Sequence, residues 1–459
     1  MTVDREPNRA LAAVMAEAGV SNKGLARRVQ DVARRRGAHV GTTHVAVQRW
    51  LDGSGIQPQT ATFLAQALSE KLGRRVNLAD LGLPEPAVQA STQGASYAPL
   101  LPEALTVMEG LTRLRSGEGE GDELLLPEGE VNSAVLSWLV SRPDGLAAPR
   151  CLSRRVTMRD VAALRTAARM FMHLDFTFGG GHGHRPLRHY FREDVLPLLN
   201  ADYSDKVGRV LFAATAEMSQ LLAWTAYDTG NHALADRYLI ATLRLTQVVD
   251  DRMMGARILS NMSHQANYLG QAPRAVRLAR ASVEGGKGRS TPRAMALFSA
   301  HEARALSTAG DLRGATRAMH EAEGHLDRAG TGDEDPGWLA YMDEAELAGE
   351  FCHCFRDLGR GREAVRFAER AVELTDPKYA RTLGFCRIVL AQSLLLNGDL
   401  EAAALTAGSA VDGGDALQSS RFQRYVTDFQ RAVARHEGNR AVREFNARVR
   451  RAMTEADGE

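Results

Sequence analysis

The sequence has few cysteines and no long apolar run, and both shortages restrict what the protein can be. Its 459 residues include only four cysteines, with no spacing typical of a disulfide framework or a C-x-x-C site. We therefore expect free thiols in a reducing compartment. No run of about 18 apolar residues occurs, and the first residues are polar and unlike a signal peptide. The sequence thus predicts a cytoplasmic protein with no membrane anchor.

Alternating runs of β-branched residues are also nearly absent. Apolar residues instead recur at intervals of three and four along most of the chain, which predicts an all-α protein. Two segments interrupt this pattern: residues 83–102 are rich in Pro, Ser, Gln and Gly, and residues 116–130 are acidic and rich in Gly. We interpret both as linkers or mobile loops, so the first domain should end near residue 83.

Charge is distributed unevenly along the chain. Residues 1–83 contain 12 Lys or Arg against 7 Asp or Glu, a net charge of +5, whereas the whole chain carries only +1. The remaining residues therefore carry about −4. A small basic module followed by a larger and slightly acidic body is compatible with a phosphate-binding head attached to a sensing body.

A repeat begins near residue 210. Five glycines lie in short polar turns between apolar helices: Gly230, Gly270, Gly310, Gly359 and Gly398. Small residues recur seven before, five after and twelve after each glycine: Ala223, Ser263, Ala303, Cys352 and Ala391; Ala235, Ala275, Ala315, Ala364 and Ala403; Thr242, Ser282, Ala322, Ala371 and Ala410. Small side chains let paired helices approach closely, and the glycine lets the chain reverse. The pattern resembles the tetratricopeptide repeat, although its spacing of 39 or 40, once 49, exceeds the usual ~34.

The resemblance to tetratricopeptide arrays implies a groove lined by the first helix of each hairpin. On that pattern the groove residues are Gln220, Trp224, Tyr227, Arg257, His264, Asn267, Arg304, His353, Arg356 and Gln392. Amides can bind a peptide backbone, arginines its carboxylates and aromatic rings its apolar side chains, so this mixture suits an extended peptide. The alternative is that these side chains are polar because they face solvent.

Residues 8–81 are predicted to form five short helices, with Ser21 capping the second and the third beginning at Thr42 or Thr43. Within them, Ser21-Asn22-Lys23-Gly24-Leu25-Ala26 and the segment from Thr43 to Gly53 resemble the lambda-repressor-like (Xre-type) helix-turn-helix. In that family the helix after the turn lies in the major groove of double-stranded DNA. The resemblance implies that bases are read by Thr43, His44 and Gln48, that Arg49 contacts bases or phosphates, and that Asn22 and Lys23 contact phosphates.

One basic stretch departs from the pattern of that family. Arg34, Arg35 and Arg36 begin a segment that runs to Gly41, where the family has a tight turn. This stretch either extends the second helix toward the phosphate backbone or changes the geometry of the motif. A solvated helix face is the alternative interpretation, but the neighbouring motif favours contact with phosphates.

The middle of the chain contains a predicted amphipathic helix at 159–176 and then a glycine- and histidine-rich segment at 178–186. With Asp175 before it and residues 190–199 after it, this segment resembles one in actinobacterial helix-turn-helix plus tetratricopeptide regulators of differentiation and antibiotic production. The three glycines 179–181 follow no strand and lack a nucleotide-binding order, so we expect a tight turn there. The nearby histidines lack paired carboxylates or cysteines, and we expect no metal. Cys352 falls at a packed repeat position, which predicts a core residue.

Together these features predict an N-terminal helix-turn-helix domain followed by a tetratricopeptide-type α-solenoid. The function implied is a homodimeric transcriptional regulator whose array binds a peptide, small ligand or protein partner and so tunes operator binding; the alternative is an interaction scaffold that does not bind DNA. We expect no cofactor, and no set of nucleophile, base and acid indicates an enzyme. The predicted divisions are 1–83 for the head, 84–155 for linker and connecting helices, 156–209 for the start of the body, 210–415 for the array and 416–459 for capping helices.

Overall fold

The computed structural model describes residues 7–35, 40–54, 56, 58–74, 76–83, 94, 96–114, 125–146, 155–330, 335–412 and 419–456. In these ranges the chain forms 21 α-helices, a π-helical turn at Phe191–Val195 and three short 3-10 turns, with one isolated bridge between Arg155 and Asp202 and no strand. The all-α prediction is confirmed. The chain divides into two compact units, Met1–Ala90 and Ser91–Glu459.

The first unit contains four α-helices and one 3-10 turn. These are α1 (Arg9–Glu17), α2 (Asn22–Arg35), α3 (His44–Leu51), α4 (Pro58–Leu72) and the turn Ala79–Leu81. Their apolar faces meet in a core of their own, in which the side chains of Leu25, Val47, Leu64 and Leu68 are fully buried. The five short helices predicted for this segment are therefore present, the last as a 3-10 turn.

Side-chain caps fix where α2 and α3 begin. The Ser21 hydroxyl accepts a hydrogen bond from the Gly24 amide at 3.2 Å, and the Thr43 hydroxyl accepts one from the Ala46 amide at 3.3 Å. Both predicted starting points are confirmed, with Thr43 rather than Thr42 as the cap of α3. Helix α2 continues to Arg35, so the basic stretch extends this helix, while residues 36–39, including Arg36, lie outside the described residues.

The second unit begins with helices that precede the repeat. They are α5 (Leu101–Arg113), α6 (Glu128–Val140), α7 (Met158–Phe178), α8 (Gly180–Tyr190) and α9 (Leu196–Leu199). The helix predicted at 159–176 is confirmed as α7. The predicted turn at the three glycines is shorter than expected: only Gly179, at φ 84°, interrupts the helices, and Gly180 and Gly181 belong to α8.

The interpretation of 83–102 as a linker or mobile loop is wrong for its last part. The buried Arg244 guanidinium donates hydrogen bonds to the carbonyl oxygens of Ala98 at 2.8 Å and Pro99 at 3.3 Å, and the Tyr97 hydroxyl bonds to Gln247. These bonds hold residues 97–99 against the body. Residues 84–93 lie outside the described residues. Of the other predicted loop, residues 116–124 lie outside them, and α6 already begins at Glu128.

Five helical hairpins follow, one for each predicted turn glycine. Their helices are α10 (Asp205–Asp228) and α11 (His232–Val248), α12 (Arg252–Tyr268) and α13 (Ala272–Gly286), α14 (Pro292–Thr308) and α15 (Leu312–Asp327), α16 (Glu344–Asp357) and α17 (Gly361–Leu374), and α18 (Ala380–Leu396) and α19 (Leu400–Asp412). Each turn glycine has a φ between 70° and 92°, a region that side chains other than glycine rarely adopt. All fifteen small residues of the three columns are buried. The repeat register is therefore confirmed.

Two further helices complete the body, α20 (Ser420–Val433) and α21 (Arg440–Ala456). The apolar face of α20 is buried at Phe422, Phe429 and Val433. The start of this helix also reaches back to the first hairpin, because the Ser420 hydroxyl donates a hydrogen bond to the carbonyl oxygen of Thr229 at 3.1 Å. Helix α20 therefore contacts both ends of the array instead of only covering its last hairpin.

Within the described residues, no helix combines the length and the apolar character that crossing a bilayer requires.

Candidate functional site

The outer face of α3 presents the residues that the sequence predicted as base readers. Thr43, His44, Gln48 and Arg49 are all solvent-exposed, whereas Val47 and Trp50 of the same helix are buried in the core. The division follows from helical periodicity, since residues three and four apart share a face. Thr43 has a second role, because its hydroxyl caps the helix.

Gln48 is held by hydrogen bonds on both sides of its amide. Its side-chain oxygen accepts from the Asn22 amide at 2.9 Å, and its nitrogen donates to the Asp52 carboxylate at 3.0 Å. Asn22, in the first turn of α2, therefore orients Gln48 in addition to any contact of its own. A bidentate contact of Gln48 with a base edge would replace one or both of these bonds.

Helix α2 also carries exposed cations. Lys23 lies in the first turn and is exposed, and Arg34 is exposed near the end of the helix, where it pairs with Asp31 at 3.1 Å. Arg35 ends α2, but its side chain lies outside the described residues, as does all of Arg36. Arg27 and Arg28 are also exposed on α2, but they were not predicted as contact residues. Two adjacent arginines on a helix already assigned to the motif were the sequence feature that could have identified them.

Val45 is a further residue that the sequence analysis missed. It lies next to His44 on α3 and is 54% exposed, although valine is normally buried in a helix of this kind. An exposed apolar side chain among polar neighbours is suited to contact with an apolar group such as a thymine methyl.

The second candidate site is a cavity of about 170 Å³ inside the body. It is lined by the first helices of all five hairpins, α10, α12, α14, α16 and α18, together with α7 and α20. Six of the ten predicted groove residues line it: Gln220, Trp224, Arg257, His264, Arg304 and His353. The repeat register thus identified the correct helices, but two helices from outside the repeat lie on the side where an open groove was expected.

The other four predicted groove residues do not line the cavity. Tyr227 is buried next to it, and its hydroxyl is 3.1 Å from Nδ1 of His264. Arg356 donates to the side-chain oxygen of Gln392 at 2.7 Å and pairs with Asp357 at 2.7 Å. Asn267 is half-buried, and its side-chain oxygen has no hydrogen-bond partner. The alternative that the ten face solvent is wrong for Gln220, Tyr227, Arg257, His264 and Arg304, which are buried. Helix α20 contacts Tyr227 and Arg304, whereas Trp338 and Tyr341 pack on Arg257.

Asp228 links the first hairpin of the array to the last one. Its carboxylate is fully buried and accepts hydrogen bonds from Arg381 of α18, from Arg421 of α20 at 3.4 Å and from the Ser419 hydroxyl at 3.1 Å. It also accepts from the Gly180 amide at 2.9 Å. Burial alone would raise the pKa of Asp228, but Arg381 and Arg421 hold it below its usual value. Asp228 therefore stays ionised and ties α8, α18 and α20 to α10.

A network of histidines and charges forms one wall of the cavity. Arg304 donates from Nη1 to both carboxylate oxygens of Glu350, at 2.9 and 3.1 Å, and the same nitrogen is 3.2 Å from Nε2 of His264. His301 Nδ1 is 2.6 Å from the Ser260 hydroxyl. Burial lowers the pKa of His301 to about 4, and burial together with Arg304 lowers the pKa of His264 well below its usual value. These imidazoles are neutral at physiological pH, so arginines carry the positive charge of the wall.

Several cavity residues were not selected from the sequence. They are Asp175, His301, Trp338, Tyr341, Glu346, Glu350, Arg381 and Arg421. His301 and Glu350 share helices with predicted residues, and the repeat register could have found them. Trp338 and Tyr341 belong to the longer connection that gives the one 49-residue spacing, and Asp175 and Arg421 belong to helices outside the repeat. Within the described residues, no group of three or more His, Cys, Asp and Glu is arranged to hold a metal ion. Cys352 is buried, as its repeat position predicted.

Comparison with known proteins gives one match. A family described as the SP15 N-terminal domain matches residues 11–84, which fall within the first unit and include α2 and α3. No curated protein and no solved structure matches the chain. The match covers less than a fifth of the sequence, so it concerns the first unit alone.

Proposed function

We propose that this protein is a DNA-binding transcriptional regulator of the Xre-type helix-turn-helix and tetratricopeptide class. In this proposal α3 reads bases in the major groove of double-stranded DNA, and the helical body senses a ligand or partner. The observation that supports the first half is the exposed face of α3: a short, capped helix presents His44, Val45, Gln48 and Arg49 outward while its other face is packed in the core.

The chemistry of that face suits base edges. Gln can pair bidentately with adenine, Arg with guanine, and an exposed valine can contact a thymine methyl. Lys23, Arg27, Arg28 and Arg34 on α2 supply the cations that would neutralise phosphates on either side. A single short helix reads too few base pairs for useful specificity, and we therefore propose that the protein acts as a homodimer on paired half-sites.

Regulation in this proposal acts through the body. Occupancy of the cavity favours one arrangement of the hairpins over another and thereby changes the spacing of the two heads of a dimer. Of the segment 83–102, residues 97–99 are bonded to α11 and would move with the body.

The test is selection of duplexes from a random pool by the full chain, followed by fluorescence anisotropy with the enriched duplex. We expect an enriched inverted repeat and a steep loss of affinity as salt rises. Gln48→Ala and Arg49→Ala should each weaken binding about 5- to 150-fold, which corresponds to ~1–3 kcal/mol per base contact. Lys23→Ala should weaken binding to all duplexes and reduce the salt dependence by about one released counterion.

Arg362→Ala is the matched control, because Arg362 is an exposed arginine of the body on α17 and should leave DNA affinity unchanged. Sedimentation must show the same oligomeric state for every variant. If no duplex is enriched and binding is insensitive to salt, the proposal is refuted in favour of an interaction scaffold whose N-terminal unit does not bind DNA.

A further inference from the structure

One arginine in the cavity has no carboxylate partner. Arg257 of α12 is only 6% exposed, and its guanidinium carbon lies 5.7 Å from the ring centre of Trp338 and 5.4 Å from that of Tyr341. Its Nε and Nη1 atoms have no hydrogen-bond partner. The other cavity arginines differ, since Arg304 pairs with Glu350, and Arg381 and Arg421 together face the two carboxylates of Asp175 and Asp228. No ion pair of Arg257 is found within the described residues.

A buried guanidinium with unpaired N–H groups is unfavourable. Burial removes the water that would solvate the charge, and each unsatisfied donor costs about 1–3 kcal/mol or more for a charged group. Stacking between two rings recovers only part of this through cation–π attraction. An anionic group that entered the cavity would pair with Nε and Nη1 and remove most of the penalty.

Glu346 also lines the cavity but does not supply that anion. Burial, with repulsion from Glu350 and Asp343, raises the pKa of Glu346 to about 8. Glu346 is therefore mostly protonated at neutral pH, where its O–H can donate a hydrogen bond and does not neutralise Arg257. The cavity thus has one uncompensated positive charge, which matches a monoanion such as a carboxylate better than a phosphate dianion.

The cavity is small, and apolar side chains form part of its wall beside the histidines and charged groups. Trp224, Phe385, Leu221 and Val389 line it, and its volume of about 170 Å³ is close to the ~150 Å³ of an apolar cavity that holds one benzene. Aromatic walls favour a flat apolar body that can stack on them. The volume admits one ring-sized body with a short acidic arm.

We infer that this cavity binds a small monocarboxylic acid with a single ring-sized apolar body, whose carboxylate pairs with Arg257. The inference rests on the ligand-sensing role proposed for the body, and it specifies the class of ligand. An extended peptide is disfavoured, because α7 and α20 line the same cavity and reduce the open space to the size of one such molecule.

The experiment measures binding of defined probes to the full chain without DNA. The probes are 3-phenylpropanoate, its uncharged analogue 3-phenylpropanamide, inorganic phosphate, and the peptide Gly-Gly-Phe with a free carboxylate. By titration calorimetry and thermal shift we expect 3-phenylpropanoate to bind with a Kd on the order of 1 mM or tighter and to raise Tm. The amide should bind at least about tenfold more weakly, because it cannot form the charged pair.

Two variants test whether Arg257 pairs with the carboxylate of the probe. Arg257→Gln should weaken 3-phenylpropanoate about 10- to 100-fold, the expected loss for a charge-assisted hydrogen-bond pair, and should make the acid and the amide bind alike. Arg257→Lys keeps the charge without the planar donor pair and should retain part of the preference for the acid. If Arg257→Gln fails to fold, the inference is tested by the lysine variant and by the ratio of the acid and amide dissociation constants of the natural chain. Arg362→Gln on the outside of the body is the matched control.

Equal binding of acid and amide, no binding of the acid at 10-fold above the expected Kd of about 1 mM, or unchanged acid affinity in Arg257→Gln would each overturn the inference. Tighter binding of phosphate or of Gly-Gly-Phe than of 3-phenylpropanoate would also overturn it. None of these outcomes affects the DNA-binding test, since the probes are titrated without DNA. Failure of the ligand inference is therefore distinguishable from failure of the proposed function.

Discussion

Asp175 of α7 is buried next to charged groups that shift its pKa in opposite directions. Burial raises its pKa to about 6, while Arg381, whose Nη1 lies 3.6 Å away, opposes the rise, and the ionised Asp228 adds to it. In the unfolded chain an aspartate has a pKa of about 3.9. The folded protein therefore holds the Asp175 proton more tightly than the unfolded chain does.

The sign of the resulting pH dependence follows from linkage. The stabilisation from a raised carboxyl pKa is complete below about pH 4, the unfolded value, and is lost as pH rises through about 6. Asn cannot lose this proton, and we predict that Asp175→Asn reduces the fall in Tm between pH 4 and pH 7. Scanning calorimetry across this range is the measurement. Asp327→Asn, on the exposed end of α15, is the control, and parallel Tm curves for Asp175→Asn and the natural chain would contradict the prediction.

Single residues also show how far the sequence determined the candidate site. His44, Gln48 and Arg49 were identified from a local motif, because a cap and a helical period of about 3.6 fix which side chains point outward. The Asn22–Gln48 bond was not foreseen, since it joins residues on two helices whose connection departs from the motif. In the body, the repeat identified Arg257 and His264 but not their burial. Arg257 is covered by Trp338 and Tyr341, which belong to a connection without a repeat position.

At the scale of elements, Trp138 of α6 packs closely against α12 and α13 of the array. Trp138 is buried against two glycines: a Cβ at Gly255 would lie 2.1 Å from its ring, and one at Gly285 would lie 2.5 Å from it. The indole N–H donates to the Thr246 hydroxyl at 3.1 Å, and the Arg252 guanidinium stacks on the ring at 5.0 Å. The absent side chains at positions 255 and 285 are what let this ring reach α12 and α13.

We predict that Gly255→Ala destabilises the body by about 1–3 kcal/mol, because the added methyl group would displace the Trp138 ring from its position against α12. Acrylamide quenching of tryptophan fluorescence should increase with the loss in Tm. Gly324→Ala on α15 is the contrasting control: its Cβ would meet only the end of the flexible Arg328 side chain at 3.4 Å. There alanine should stabilise the helix by about 0.5–1 kcal/mol. Equal effects of the two substitutions would argue against the role given to Trp138.

The elements were predicted unequally well. The hairpins follow from a strict period of small residues and turn glycines, which close packing requires at every repeat. No sequence period predicts where α5, α6, α7 and α20 pack against those hairpins. They depend on contacts between residues far apart in sequence, such as Trp138 with Gly255 and Arg421 with Asp228.

At the scale of the whole molecule, the chain has separate cores in its two units. The first unit is held by its own cluster around Leu25, Val29, Leu64 and Leu68, and the clusters of the second unit contain none of these residues. The composition break near residue 83 predicted this division, and the structure places it at residue 90. The difference comes from the Pro- and Ser-rich stretch itself, which has no periodicity from which a boundary could be read.

Separate cores predict that the two units unfold in separate transitions. Leu68 is fully buried in the first unit and Leu297 of α14 is fully buried in the second, and truncating either to alanine should cost about 2–5 kcal/mol in its own unit. Leu68→Ala should lower one calorimetric transition, and Leu297→Ala should lower the other. If the first unit alone binds duplex, affinity for an enriched DNA should be lost at lower temperature in Leu68→Ala and not in Leu297→Ala. A single transition that both substitutions shift equally would mean that the units unfold as one, and regulation would then act through their shared stability instead of the spacing of the heads.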